Sequence, residues 1–87
     1  MSKEAVVLLM MRRIYDLAGG DPAAEVDPAD AGGGFGLSAE GARGYTSVLE
    51  RLGHLAYAGS DSSVRLTPIG AEWVEARWPS LRQPAGV

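Results

Sequence analysis

A glycine-rich run in the middle of the chain is the first feature whose spacing suggests chemistry. Residues 34–39 match the pattern G-x-G-x-x-A, in which glycine backbone approaches the pyrophosphate of a dinucleotide. That role requires a preceding strand within a Rossmann sheet, and a chain of 87 residues with further glycines directly upstream offers neither. No lysine follows at the spacing of a phosphate-binding loop. We therefore expect no nucleotide and no other small-molecule cofactor.

The second candidate for chemistry is His54, the only histidine of the sequence. A nucleophile–base pair or a metal cluster requires a histidine beside serine or carboxylate groups. His54 instead lies where a helix is predicted to give way to a strand, and a capping or surface role fits that position. Asp27 and Asp30 share one predicted helix start, where capping and the helix dipole explain both carboxylates. Since cysteine is also absent, the sequence predicts a protein that is not an enzyme and holds no metal.

Composition and charge narrow the classes of function further. With 46% hydrophobic and 22% charged residues, the chain is typical of one ordinary globular domain. The longest apolar run, residues 5–11, is far shorter than the about 20 residues that span a bilayer. No small-residue cleavage site follows it, so we expect a cytoplasmic protein without membrane contact. The formal net charge of −3 is opposite in sign to the basic excess usual in nucleic-acid-binding domains.

The N-terminal segment predicts a long helix over residues 3–18, which Ser2 caps and Gly19-Gly20 stops. Apolar side chains recur at helical spacing and form one stripe: Val7, Met10, Met11, Ile14 and Leu17. A second apolar set lies off this stripe: Val6, Leu8, Leu9 and Tyr15. A helix that is apolar around much of its surface is buried between layers or covers a partner. We therefore expect an oligomer interface on this helix.

Two more helices are predicted before residue 53. Asp27-Pro28 supplies the cap and first residue of a short helix over residues 28–33. Its glycines weaken it by up to about 1 kcal/mol each, so packing through Ala31 and Phe35 is expected to hold it. Ser38 then caps a helix over residues 39–52 that stops at Gly53. The buried stripe predicted for this helix consists of Ala42, Tyr45, Leu49 and Leu52, with Val48 beside it.

The C-terminal third predicts a β-hairpin and a final helix. The hairpin covers residues 55–67, with its turn at residues 59–62. Thr67-Pro68 begins a helix over residues 68–77, whose inward-facing residues are predicted to be Ile69, Trp73 and Ala76. Residues 80–87 are predicted to form a loose tail. The predicted fold is mainly α with a small hairpin, an α+β domain over residues 1–79.

Three segments, in this order, resemble parts of the winged helix-turn-helix domains of bacterial transcription regulators. Residues 26–38 are similar to the second helix and turn of such domains. Residues 49–55, with the sequence LERLGHL, resemble the end of the recognition helix, and residues 64–70, VRLTPIG, resemble the exit from the hairpin or wing. The resemblance spans roughly residues 8–75 and implies a three-helix core, a wing and a C-terminal helix. It also implies a non-catalytic role in DNA binding and transcription regulation, commonly as a dimer.

The resemblance also implies which residues would touch double-stranded DNA. In this fold the recognition helix enters the major groove and the wing contacts the backbone or minor groove. The residues at the corresponding positions are Arg43, Thr46, Ser47 and Arg51 of the helix and Arg65 of the wing. Arg43 would read guanine edges and the others would contact phosphates. The alternative is that the arginines are solvated surface residues, with Arg43 paired to Glu40 three residues away.

A second interpretation is a winged helix that contacts protein instead of DNA. The acidic balance, the lack of Lys or Arg in residues 59–63 and the apolar excess of the first helix favour it. The partner expected is a second copy, bound through the first helix. The interface residues expected are Val6, Leu9, Met10, Arg13 and Trp78. Trp78 fits equally well as a cover for the edge of the first helix, whereas Trp73 is expected in the core.

Overall fold

The structure is a computed structural model that describes residues 2–58 and 63–82. The elements follow in the order α1 (Lys3–Ala18), β1 (Glu25–Val26), α2 (Pro28–Gly33), α3 (Ala39–Arg51), β2 (Leu55–Tyr57), β3 (Val64–Leu66), α4 (Pro68–Arg77) and a 3-10 helix (Pro79–Arg82). The described part of the chain is therefore mainly helical with a small sheet, an α+β arrangement. The predicted turn at residues 59–62 and the last five residues of the predicted tail lie outside the described residues.

Each of the four α-helices begins at the residue that the sequence marks as its cap. The cap side chains and the backbone N–H groups they accept from are Ser2 with Ala5, Asp27 with Ala29, Ser38 with Gly41 and Thr67 with Gly70. At its other end, α1 stops at Gly19, whose φ of 64° is a conformation that glycine adopts without strain. The observed helix limits agree with the predicted limits to within one residue.

The sheet has three strands instead of the two predicted. The unexpected strand is β1, which pairs antiparallel with β3 so that Glu25 lies opposite Arg65 and Val26 lies opposite Val64. The predicted hairpin partners β2 and β3 pair with Leu55 opposite Leu66, and the strand order is β1-β3-β2. A two-residue strand carries no measurable periodicity, so only its tertiary pairing reveals it.

The core lies between α1, α3, α4 and the inner face of the sheet. Its largest fully buried apolar side chains are Met10, Met11, Ile14, Leu49, Leu55, Val64, Leu66 and Val74. Two leucines predicted to belong to it do not: Leu17 is 43% exposed and Leu52 is 59% exposed. Both lie in the last turn of a helix or just after it, where the chain leaves the core to enter the next turn.

The predicted inward face of α4 is wrong at Ile69 and Ala76, whereas Trp73 is half-buried and packs against the core as predicted. Ile69 is 60% exposed and Ala76 is exposed, whereas Gly70, Ala71 and Val74 are buried. Gly70 lies against the backbone carbonyl of His54 so closely that a Cβ atom there would overlap it. This contact joins the start of α4 to the corner between α3 and β2, and it turns Ile69 outward.

A second glycine contact brings α2 and α3 together. A Cβ atom on Gly32 would lie only 2.8 Å from the Cβ of Ala42, so the two helices approach to a distance that only glycine allows. Phe35 and Leu37, which follow α2, pack against the core. Leu81 of the 3-10 helix also packs on the core, so ordered structure continues into the predicted tail.

Candidate functional site

Three of the residues predicted to bind DNA form a line on the outer side of α3. Arg43, Ser47 and Arg51 follow one another at intervals of four residues, the spacing at which side chains are neighbours on a helix. Both arginines are exposed and Ser47 is half-buried. The distance between the two arginines along the helix axis is about 12 Å. We call these three residues the arginine line.

The arginine line carries charge that is not neutralised by ion pairs. Arg12 forms an ion pair with Asp16 at 3.0 Å, and neither Arg43 nor Arg51 pairs with a side chain that the structure describes. Arg43 therefore does not pair with Glu40 as the alternative interpretation suggested. Glu40 is itself exposed one turn before Arg43 and about two turns before Ser47 on the same helix. Glu50, which is half-buried, lies seven residues from Arg43 and next to Arg51, so the outer side of α3 carries two guanidinium groups and two carboxylates.

Thr46 was predicted to contact DNA, and its position in the structure corrects this. The residue is completely buried, and its hydroxyl donates a hydrogen bond to the carbonyl oxygen of Arg43 at 3.0 Å. It lies on the inner stripe of α3 together with Ala42 and Leu49, at helical spacing. The predicted stripe contained Ala42 and Leu49 but had the more apolar Tyr45 and Leu52 where the structure has Thr46.

Arg65 belongs to the sheet and not to the arginine line. It is the central residue of β3 and is exposed on the outer face, since its neighbours Val64 and Leu66 are both buried. The residues opposite it in the flanking strands are Glu25 and Ala56, which are also exposed. The charge of Arg65 therefore stands beside the opposite charge of Glu25.

The predicted interface residues of α1 divide between its inner and outer sides. Val6 and Leu9 are half-buried and Arg13 is exposed, and helical spacing places them on one stripe with the exposed Leu17. Met10 is completely buried in the core, so the expectation that it contributes to an interface is corrected.

Trp78 covers the edge of α1. Its half-buried ring packs against the core, and the guanidinium carbon of Arg12 lies 5.1 Å from the ring centroid. A cation at this distance from an indole is within the range of a cation–π interaction. These contacts within one copy of the chain explain the partial burial of Trp78 without a partner.

A groove between α1, α3 and α4 is a feature that the sequence analysis missed. Its volume is about 470 Å³, and its apolar lining consists of Val7, Leu8, Val48, Leu52 and Trp73. Charged residues also line it: Lys3, Glu4 and Arg77. A smaller hollow of about 290 Å³ shares Lys3 and Val48 and continues along α3 past Gly44 to Tyr45. The sequence signal for it is the spacing of Val48 and Leu52, which had been assigned to the core.

Three side chains stack at one end of this groove. The ring of His54 lies 5.2 Å from that of Trp73 between centroids, and the guanidinium carbon of Arg77 lies 3.7 Å from the Trp73 ring centroid. Arg77 Nη1 also donates to the Trp73 carbonyl oxygen at 3.1 Å. Burial of the imidazole, and the nearby charge of Arg77, lower the pKa of His54. Its buried Nδ1 has no hydrogen-bond partner among the described residues.

Other classes of site find little support in the described part of the chain. Residues 2–58 and 63–82 contain no group of three or more His, Asp or Glu residues that could hold a metal ion. None of the helices in these two ranges combines the length and the apolar character that a bilayer crossing demands. The two surfaces that stand out are therefore the arginine line and the groove.

Comparison of the chain with protein-family models, with curated proteins and with solved structures finds no match in any of the three.

Proposed function

We propose that the chain is a winged helix-turn-helix domain that binds double-stranded DNA through α3, as a small non-catalytic transcription regulator. Three features support the fold assignment. The helices α2 and α3 pack closely across a short turn at residues 34–38, the hairpin strands β2 and β3 follow α3 directly, and α4 closes the core. In such domains the exposed side of the second helix of the pair enters the major groove.

The observation that carries the DNA proposal is the arginine line. Arg43 lies in the N-terminal half of α3, the part of a recognition helix that reaches base edges, and its guanidinium can bond guanine in a bidentate manner. Ser47 and Arg51 follow within about 12 Å, a length comparable to the width of the major groove. Because neither Arg43 nor Arg51 forms an ion pair with a described residue, both guanidinium groups can bind DNA without first breaking an ion pair.

The charge of the whole chain sets the expected strength of binding. A net charge of −3 and the carboxylates of Glu40 and Glu50 beside the arginine line oppose the approach to phosphates. With Arg43 on a base edge, the cations left for phosphates are Arg51 and Arg65, so the logarithm of the binding constant should fall with the logarithm of the salt concentration with a slope of about −1 to −2. We therefore expect binding that is measurable at low salt and weak near physiological salt.

Fluorescence anisotropy with a labelled mixed-sequence duplex tests this proposal. Titration near 20 mM salt should give saturable binding, and the single substitutions Arg43→Gln and Arg51→Gln should each weaken it. Arg13→Gln is the matched control, because it removes the same charge from an exposed position on α1. No binding at low salt, or an equal loss in the Arg13→Gln variant, would contradict the proposal.

A second candidate function is protein contact through the outer side of α1, with a second copy as partner. The observation that favours it is the stripe of Leu9, Arg13 and Leu17 on α1, in which Leu17 is 43% exposed; Val6, at the start of this stripe, packs against the core. Light scattering after size exclusion should then give twice the mass of the chain, and Leu9→Glu should return the monomer mass. A monomer mass at high protein concentration would rule this candidate out.

A further inference from the structure

We propose that the groove between α1, α3 and α4 binds a small organic molecule with an apolar body and a carboxylate group. This inference goes beyond DNA binding and does not depend on it, because the residues that line the groove do not belong to the arginine line. Its first support is shape. The volume of about 470 Å³ lies within the range of pockets that hold small molecules.

The second support is that exposed apolar side chains cluster in the groove. Val48 is 45% exposed and Leu52 is 59% exposed, and both line the groove together with Trp73. Single exposed apolar residues are ordinary on protein surfaces, whereas a cluster in a concave site indicates a ligand or partner. The adjoining hollow beside Gly44 adds room for a longer apolar body, since nothing lies within 4 Å of a Cβ built there.

The third support is charge, and it selects the kind of ligand. Two cations, Lys3 and Arg77, line the groove against one carboxylate, Glu4, and none of the three forms an ion pair with a described residue. Stacking on Trp73 and the hydrogen bond to its carbonyl oxygen hold the Arg77 guanidinium in place. That bond occupies one of the five N–H donors of an arginine, and the fork of donors suits a carboxylate. A fixed cation beside an apolar lining complements an amphiphilic anion.

The size of the groove favours a small molecule over a helix of a partner protein. A helix with its side chains is about 10 to 12 Å wide, and a docked helix would contact its partner over several turns. In this chain the lining comes from the first two turns of α1, the last turns of α3 and one side of α4. Such a short concave site suits a ligand of one or two rings.

Titration of the isotope-labelled full chain with 2-naphthoate, followed by NMR, tests the inference. Saturable shifts are expected for the Trp73 indole and for the amides of Val48 and Leu52. The uncharged analogue 2-naphthalenemethanol should shift the same signals but bind roughly two- to fivefold more weakly, the range that one partly exposed ion pair supplies. Equal affinity for the two compounds would overturn the role given to the cations.

Variants separate the groove from the rest of the surface. Val48→Glu should weaken naphthoate binding by at least about tenfold, because it puts a carboxylate among the apolar groups that hold the ring. Ile69→Glu is the matched control, since Ile69 is 60% exposed and does not line the groove. Arg77→Gln and Lys3→Gln should each reduce the preference for naphthoate while the affinity for the alcohol stays unchanged.

Three results would overturn the inference. The first is the absence of saturable shifts at millimolar naphthoate in a chain whose spectrum shows it folded. The second is equal weakening by Val48→Glu and Ile69→Glu. The third is movement of the groove signals with protein concentration in the absence of ligand, because a second copy would then occupy the groove.

Discussion

The two flanks of α3 differ in what they leave exposed. One flank carries the arginine line, whose charged groups are solvated and point away from the core. The other carries Val48 and Leu52, which are apolar and exposed and line the groove. Exposed charged side chains are well solvated and favour solubility. Exposed apolar side chains are unfavourable in water, and a cluster of them indicates a ligand or a partner. The residues of the first surface could be named from sequence motifs, whereas the second surface forms only when three helices pack together.

The largest expected effect is on the free energy of unfolding. It compares the same substitution at two leucines of α3 and its end, one on the inner stripe and one in the groove. Leu49→Ala should lower the free energy of unfolding by about 2 to 5 kcal/mol, because Leu49 is fully buried and its removal leaves a cavity. Leu52→Ala should change it by no more than about 0.5 kcal/mol, because Leu52 is 59% exposed. Urea denaturation followed by circular dichroism measures both. Similar losses at the two positions would place Leu52 in the core.

The next effect concerns the scaffold that holds α3 against α2. Gly32→Ala should destabilise the fold by about 1 to 3 kcal/mol, since the added Cβ would lie 2.8 Å from the Cβ of Ala42. Gly33→Ala adds the same atom where nothing lies within 4 Å, and it should stabilise by up to about 1 kcal/mol through the lower entropy of the unfolded chain. Thermal unfolding of the two variants gives the sign directly. A stabilising Gly32→Ala would show that the two helices can move apart.

A smaller effect distinguishes the inner stripe from the arginine line. Thr46→Ala should lower the free energy of unfolding by about 1 to 2 kcal/mol, because it removes a buried methyl group and the hydrogen bond to the Arg43 carbonyl oxygen. Ser47→Ala should stay within about 0.5 kcal/mol of the unsubstituted chain. In the anisotropy assay the order reverses, since Ser47 belongs to the proposed DNA surface and Thr46 does not. A neutral Thr46→Ala would indicate that α3 is rotated from its observed position.

These contrasts also show which parts of the fold the sequence predicts. Helix limits depend on local chemistry, so the caps at Ser2, Asp27, Ser38 and Thr67 could be identified from single residues and their neighbours. The direction each helix faces depends on contacts distant in sequence. Thr46 is buried in place of the more apolar Leu52, and Gly70 in place of Ile69, because close backbone contacts set the rotation of the helices.

The candidate sites follow the same division. Arg43 and Arg51 could be placed on a surface because charged side chains are rarely buried without a partner. Met10 could not be placed, since an apolar residue on a largely apolar helix fits the inner or the outer side equally well. The groove forms between α1, α3 and α4, which are far apart in the sequence. No local sequence pattern predicts that these three helices come together.

The smallest effect tests the end of the groove where His54 and Arg77 both stack on Trp73. Burial of the imidazole, and secondarily the charge of Arg77, hold the pKa of His54 below its ordinary value of 6.5. Well above pH 6.5 the imidazole is neutral in both the folded and the unfolded chain, and its contribution to stability is fully present. As the pH falls below 6.5 the unfolded chain takes up a proton before the folded chain does. The free energy of unfolding should therefore decrease as the pH falls from 6.5 to the pKa of His54 in the folded chain.

This dependence also connects His54 with the groove. His54→Gln should flatten the stability profile between pH 7 and pH 5, and Arg77→Gln should raise the pKa of His54 only part of the way, because burial is the larger cause. Bound 2-naphthoate should raise it as well, since the carboxylate offsets the charge of Arg77. An NMR titration of the His54 imidazole with and without naphthoate measures the difference. If naphthoate saturates the groove signals and leaves this pKa unchanged, its carboxylate does not lie beside Arg77, and Lys3 must supply the charge preference.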